Sequence, residues 1–158
     1  MTQIILYVED DENDVLLLQH AINKAGYMLP MQVATDGQHA IDYLSGKGQF
    51  ANRSEFPIPW LVLLDLKLPY IPGLEVLRWI RQEAALGIPV FILSSSEDAD
   101  EITKAYELGA SAYLVKPSDS HKLAGIARTI MDLWLSRNQP QPKIALAQTS
   151  PQPPASGM

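Results

Sequence analysis

The chain has 158 residues, of which 47% are hydrophobic and 19% charged, with 12 basic and 18 acidic side chains, a formal charge of −6 and no cysteine. That length suits one domain, or one domain with a tail, while the acidic balance argues against a nucleic-acid binder and the missing cysteine excludes disulfides, thiol catalysis and Cys-ligated metal centres. The opening MTQIILYVED has no basic region and no stretch approaches the ~20 apolar residues of a membrane span, so no signal peptide or membrane anchor is read and a cytoplasmic chain is expected.

Residues 3–8 (QIILYV) predict a first strand. Val15, Leu18, Ile22 and Ala25 then share one face of a helix, with Asp11 or Asn13 at its cap and Gly26 at its end. Residues 31–35 (MQVAT) predict a second strand, after which Asp36 caps a helix whose inner face is Ala40, Ile41 and Leu44 and which stops at Gly46. Residues 47–59 (KGQFANRSEFPIP) make a connection longer than such units need, and an insertion loop is expected there. A third strand, residues 60–64 (WLVLL), leads to a helix marked by Val76, Leu77, Ile80 and Ala84. Residues 90–93 (VFIL) give a fourth strand, and Ile102, Ala105 and Tyr106 a helix closed by Gly109. Residues 111–115 (SAYLV) give the fifth strand, and Leu123, Ile126, Ile130, Leu133 and Trp134 mark a long last helix. Regular alternation of strand and helix implies an α/β fold, a parallel sheet with helices on both faces. The domain is expected over residues 1–137, with residues 138–158, rich in Pro and Gln, forming a disordered or extended tail.

Polar residues end the strands. Glu9 and Asp10 follow the first, Asp65 the third, Ser94 the fourth and Lys116 the fifth. Sites of open α/β sheets lie outside the carboxyl ends of the strands, where the strand order reverses. If the strand order is 2-1-3-4-5, Glu9, Asp10 and Asp65 converge at one mouth. Two such charges ~4 Å apart repel by ~4 kcal/mol at an effective dielectric of about 20, which calls for raised pKa values or a hard cation such as Mg²⁺. Each residue taken singly has a plainer reading: Asp65 as a turn residue, the acidic run 9–12 as a helix N-terminus, Ser94 as a strand-end hydroxyl, Lys116 as a surface lysine. The five together, at the ends of four strands, suit a phosphoryl group on Asp65, with Ser94 donating to one oxygen and Lys116 neutralising another.

In the order YVEDDEND, LLDLKLPYIPGLEVL, ILSSS and GASAYLVKP, these segments resemble the receiver domain of two-component response regulators. The resemblance implies a doubly wound, flavodoxin-like five-stranded sheet of order 2-1-3-4-5. It implies Asp65 as the phosphoacceptor, charged by a histidine kinase or phosphotransfer protein. It also implies Glu9, Asp10, Asp65 and the Lys67 carbonyl as Mg²⁺ ligands, Ser94 and Tyr113 as switch residues, Lys116 as the phosphoryl-binding lysine, and a cis bond between Lys116 and Pro117. Tyr113 taken alone reads equally as a half-buried strand residue. Glu9 stands where Asp is commoner, Lys67 where Asn is frequent, and residues 70–73 (YIPG) make the loop after the third strand more apolar than usual.

The resemblance is to stand-alone regulators of the chemotaxis type and to the partners of bacterial phytochromes, whose sensor would be a phytochrome kinase. Output would run through a changed binding surface or a homodimer formed by helix four, strand five and helix five, without nucleic acid or membrane. Self-phosphorylation and self-dephosphorylation of Asp65 would be its only catalysis. Three other readings fit the residues less well. A pseudo-receiver acting as a constitutive interaction module would usually lack the acids or the lysine. A dehalogenase-type phosphohydrolase would carry a second acid where Lys67 stands. A flavin binder would need glycine and N–H donors where the loop after strand one is acidic. His20, His39 and His121, without metal spacing, read as surface residues.

Overall fold

The computed structural model describes residues 4–138. Five strands, β1 (Ile5–Val8), β2 (Met31–Ala34), β3 (Leu61–Leu64), β4 (Val90–Ser94) and β5 (Ala112–Val115), alternate with helices α1 (Glu12–Lys24), α2 (Gly37–Ser45), α3 (Gly73–Arg78), α4 (Ala99–Glu107) and α5 (Leu123–Asn138). All pairings are parallel, in the order β2-β1-β3-β4-β5. The expected α/β fold is therefore the observed one. The expected tail lies, beyond Asn138, outside the described residues, as does the side chain of Trp134.

Strand side chains alternate between two apolar layers, as the two-residue period demands. Ile5, Tyr7, Leu61, Leu63, Phe91 and Leu93 face α1 and α5, meeting Val15, Leu18, Ile22, Ala127, Ile130 and Met131. Leu6, Val8, Val62, Leu64 and Ile92 face the other way, onto Ala40, Tyr43, Leu44, Val76, Leu77, Ile80 and Ala105. Residues of β1, β3 and β4 are almost fully buried, which is why their sequences run apolar without alternation. Caps fall at the expected residues: Asp11 accepts from Asn13 N–H at 2.8 Å, and Asp36 from His39 N–H at 2.7 Å.

Three local readings are corrected. The buried face of α2 is completed by Tyr43, whereas Ile41 is only half-buried. Its hydroxyl reaches the Pro57 carbonyl at 2.8 Å, so tertiary packing, not helical spacing, draws it inward. The periodicity of the third helix continues past Arg78 as a π-helical turn, Trp79–Glu83, in which Ala84 N–H bonds to the Trp79 carbonyl. His39 is not a plain surface residue, for its ring stacks on Phe50 at 5.4 Å and accepts from Thr35 N–H at 3.2 Å.

Residues 47–59 fold into an ordered lobe. The Arg53 guanidinium donates to the carbonyls of Tyr43, Leu44 and Phe56 at 2.9–3.1 Å, satisfying the end of α2, and Tyr43, Phe50 and Phe56 cluster around it. Gly73 sets the start of α3. A Cβ there would lie 2.1 Å from the Asp65 carbonyl oxygen, and its N–H bonds to the Leu66 carbonyl at 2.9 Å, so only glycine lets the helix close against the end of β3.

Candidate functional site

β1 and β3 are neighbours where the winding of the sheet reverses, and Val8 pairs with Leu64. The residues that follow, Glu9 and Asp65, therefore leave the sheet side by side, tied by Glu9 N–H to the Ala34 carbonyl and Asp65 N–H to the Val8 carbonyl. Carboxylate oxygens of Glu9, Asp10 and Asp65 all come within 4.8 Å of one another. Glu9 and Asp65 are buried and Asp10 is exposed. The three line a mouth of about 680 Å³ together with Asp11, Asp14, Ser95 and Lys116.

Lys116 enters from the end of β5, its N–H bonded to the Ser94 carbonyl at 2.8 Å. Its ammonium lies 2.5 Å from Glu9 Oε1, 2.9 Å from Asp14 Oδ2 and 3.3 Å from Asp65 Oδ2. One cation thus spends its three donors on three carboxylates. Burial alone would lower its pKa, but the hydrogen bonds to Glu9 and Asp14 and the charges of Asp65 and Glu9 outweigh that and hold it above the ordinary lysine range. Burial pushes the Glu9 carboxyl up to about 7 in spite of Lys116 and the N–H of Asp11. The repulsion expected from the sequence is thus met here by a lysine and by a raised acid. Three oxygens this close also fit a divalent cation, which takes carboxylates and keeps waters.

Asp65 Oδ1 accepts from Lys67 N–H at 3.4 Å, while the Lys67 side chain points to solvent. Ser94 is fully buried, and its Oγ accepts from Ser96 N–H at 3.2 Å, so the hydroxyl lining the mouth is that of Ser95. The local turn holds the Ser94 oxygen on Ser96 N–H. Tyr113 is half-buried, its hydroxyl donating to the Ser96 carbonyl at 2.8 Å and its N–H to the Tyr106 hydroxyl at 3.0 Å. The cis bond expected between Lys116 and Pro117 is corrected, since the described residues contain no cis peptide. Trans is the intrinsically favoured isomer, and in it Lys116 already reaches all three acids.

Two participants escaped sequence reasoning. Asp14, in the first turn of α1, is legible only as a helix-terminal acid. Tyr7 reads as a core strand residue, yet its hydroxyl donates to Glu9 Oε1 at 3.3 Å, and burial together with Glu9 raises its pKa.

The description of the response regulator receiver domain matches residues 5–128. The chain belongs to the response regulator receiver family. It is 35% identical over 140 residues to the probable methanogenesis regulatory protein FilR2 of Methanothrix harundinacea, covering 86% of each chain. It is 34% identical to the response regulator Rcp1 of Synechocystis over 84% of this chain and 89% of that one. The Mn²⁺-bound form of Rcp1 superposes with a TM-score of 0.76, spanning 89% of this receiver and 99% of Rcp1. The phosphorylated cyanobacterial phytochrome response regulator RcpA superposes with a TM-score of 0.78 at 34% identity, over 88% and 98% of the two chains. Among the described residues of this receiver, no helix is long and apolar enough to cross a membrane.

Proposed function

We infer that this chain is a single-domain response regulator of the cytoplasm, which takes a phosphoryl group on Asp65 from a histidine kinase or phosphotransfer protein. The observation that carries this reading is the convergence of Glu9, Asp10 and Asp65 within 4.8 Å, with Lys116 Nζ 3.3 Å from Asp65. A carboxylate oxygen of Asp65 attacks phosphorus; the new O–P bond forms as the P–N bond to the donor histidine breaks, and the imidazole leaves with the electron pair. Mg²⁺, held by Glu9, Asp10, Asp65 and the Lys67 carbonyl, would supply charge neutralisation for the phosphoryl oxygens. Lys116 binds one phosphoryl oxygen. Ser94 binds another after giving up its bond from Ser96 N–H.

Because Ser96 also accepts from Tyr113, a turn of Ser94 toward the mouth disturbs the contact that holds the aromatic ring. That links phosphorylation to the surface of α4, β5 and α5, where a target protein or a second copy would dock. The likeness to the cyanobacterial phytochrome response regulator RcpA supports a phytochrome kinase as the upstream partner. Chemistry is confined to gain and loss of the phosphoryl group on Asp65; with Lys67 two residues on, the second acid of a dehalogenase-type enzyme is missing.

The test is incubation with an acyl phosphate, with and without Mg²⁺, read by intact mass and size-exclusion chromatography. A Mg²⁺-dependent gain of one phosphoryl group that Asp65→Asn abolishes is expected. Uptake by Asp65→Asn at the wild-type level overturns the assignment, and no gain in the wild type favours a constitutive interaction module.

A further inference from the structure

Asp14 lies outside the three-carboxylate cluster, which comprises Glu9, Asp10 and Asp65. It nevertheless gives Lys116 one of its three hydrogen bonds, at 2.9 Å, from the first turn of α1. Its carboxylate is about one-third exposed, at the rim of the mouth and not in its floor with Glu9 and Asp65. The other two partners of the ammonium, Glu9 and Asp65, belong to the cluster that fits a divalent ion. When their oxygens are turned to a cation, both of those contacts weaken together, and a lysine with four rotatable bonds would swing into solvent unless something else held it. Asp14 is the partner that remains.

We propose that Asp14 is a positioning residue for Lys116: it retains the ammonium at the mouth while Glu9 and Asp65 engage the metal, leaving two N–H donors free for the phosphoryl group on Asp65. The catalytic half of this statement rests on the function proposed above; the retention of the lysine does not. Placement is within reach from the outset, since Lys116 Nζ already lies 3.3 Å from Asp65 Oδ2. Asp14 acts by accepting a hydrogen bond, so a neutral acceptor of the same shape replaces it and a methyl group does not.

The experiment joins two measurements on the full chain. Side-chain ammonium resonances of ¹⁵N-lysine-labelled protein are recorded with saturating Mg²⁺, Lys116 being assigned by its loss in Lys116→Met. The slowly exchanging Lys116 signal is expected to persist in the wild type and in Asp14→Asn, and to vanish in Asp14→Ala. Phosphoryl uptake from an acyl phosphate is expected to slow about tenfold in Asp14→Ala, to recover in Asp14→Asn, and to show no further loss when Asp14→Ala is added to Lys116→Met. A Lys116 signal unaffected by Asp14→Ala overturns the proposal, as does an equal loss of rate with or without Lys116. If the wild type takes up no phosphoryl group, or Asp65→Asn takes it up equally, the proposed function fails; the resonance measurement still decides whether Asp14 holds the lysine.

Discussion

The two sides of the sheet mouth are built on different physical terms. At β1 and β3 the site is made of charges: Glu9, Asp10 and Asp65 crowd together, and Lys116 pairs with Glu9 and Asp65. At β4 and β5 it is made largely of neutral hydroxyls: Ser94 accepts from Ser96 N–H, Tyr106 accepts from Tyr113 N–H and Tyr113 donates to the Ser96 carbonyl, while the Ser96 hydroxyl accepts from Asp98 N–H and donates to Glu101. The charged side has few ways to relax, because moving Glu9, Asp65 or Lys116 leaves a buried group without its partner. The hydroxyl side can exchange one acceptor for another at a net cost of about 1 kcal/mol per bond. A regulator needs both: a site that stays put and a neighbour that turns.

The largest effect should come from the charged side. Asp65→Asn is expected to abolish phosphoryl uptake while leaving the fold intact, checked by intact mass and circular dichroism. Next, Lys116→Met keeps most of the aliphatic stem but leaves Glu9 and Asp65 uncompensated, and should lower unfolding free energy by about 3 kcal/mol at pH 8 in chelator. Mg²⁺ should restore most of that in urea titrations. Equal loss with and without Mg²⁺ would break the comparison, because the cation could then not stand in for the lysine.

Proton linkage gives a third test. The folded-state pKa of Glu9 is raised from 4.5 to about 7, first by burial, so the native state holds this proton more tightly than the unfolded chain. In the absence of metal its stabilising contribution is complete below about pH 4.5 and is lost as pH rises through about 7. Because a carboxylate ligand must shed its proton, Mg²⁺ affinity should rise with pH and level off above 7, by up to about tenfold per unit below that point. Calorimetric titrations at three pH values, in buffers of different ionisation heat, would show the released proton. The smallest effect belongs to the hydroxyl side: Tyr113→Phe removes the bond to the Ser96 carbonyl and should lower stability by about 1 kcal/mol, with phosphoryl uptake unchanged. A loss as large as that in Lys116→Met would erase the distinction between the two sides.

Much of the charged side was legible before the structure. Acids after two strands that a 2-1-3-4-5 sheet makes neighbours must meet, and an ammonium after another strand must face the same mouth. The hydroxyl side was only half legible. Ser94 was placed at its strand end, but which of Ser94 and Ser95 lines the mouth depends on a single turn bonded through Ser96 N–H. The inward draw of Tyr43 depends likewise on the lobe of residues 47–59, whose Arg53 and Phe56 lack any periodic signal.

Sequence by itself determined the layered α/β fold, its helix caps and the strand-end positions of Glu9, Asp65, Ser94 and Lys116, because hydrophobic period and capping chemistry are local; the strand order 2-1-3-4-5 is what the resemblance to receiver domains implies. Only the tertiary structure decided that Asp14 meets Lys116 across 102 positions of chain, that Tyr7 turns its hydroxyl to Glu9, and that Ser94 keeps its oxygen from the mouth. The first of these contacts needs packing between distant elements; the other two join residues two positions apart, where spacing permits the contact and the side-chain rotamer selected by close packing decides it.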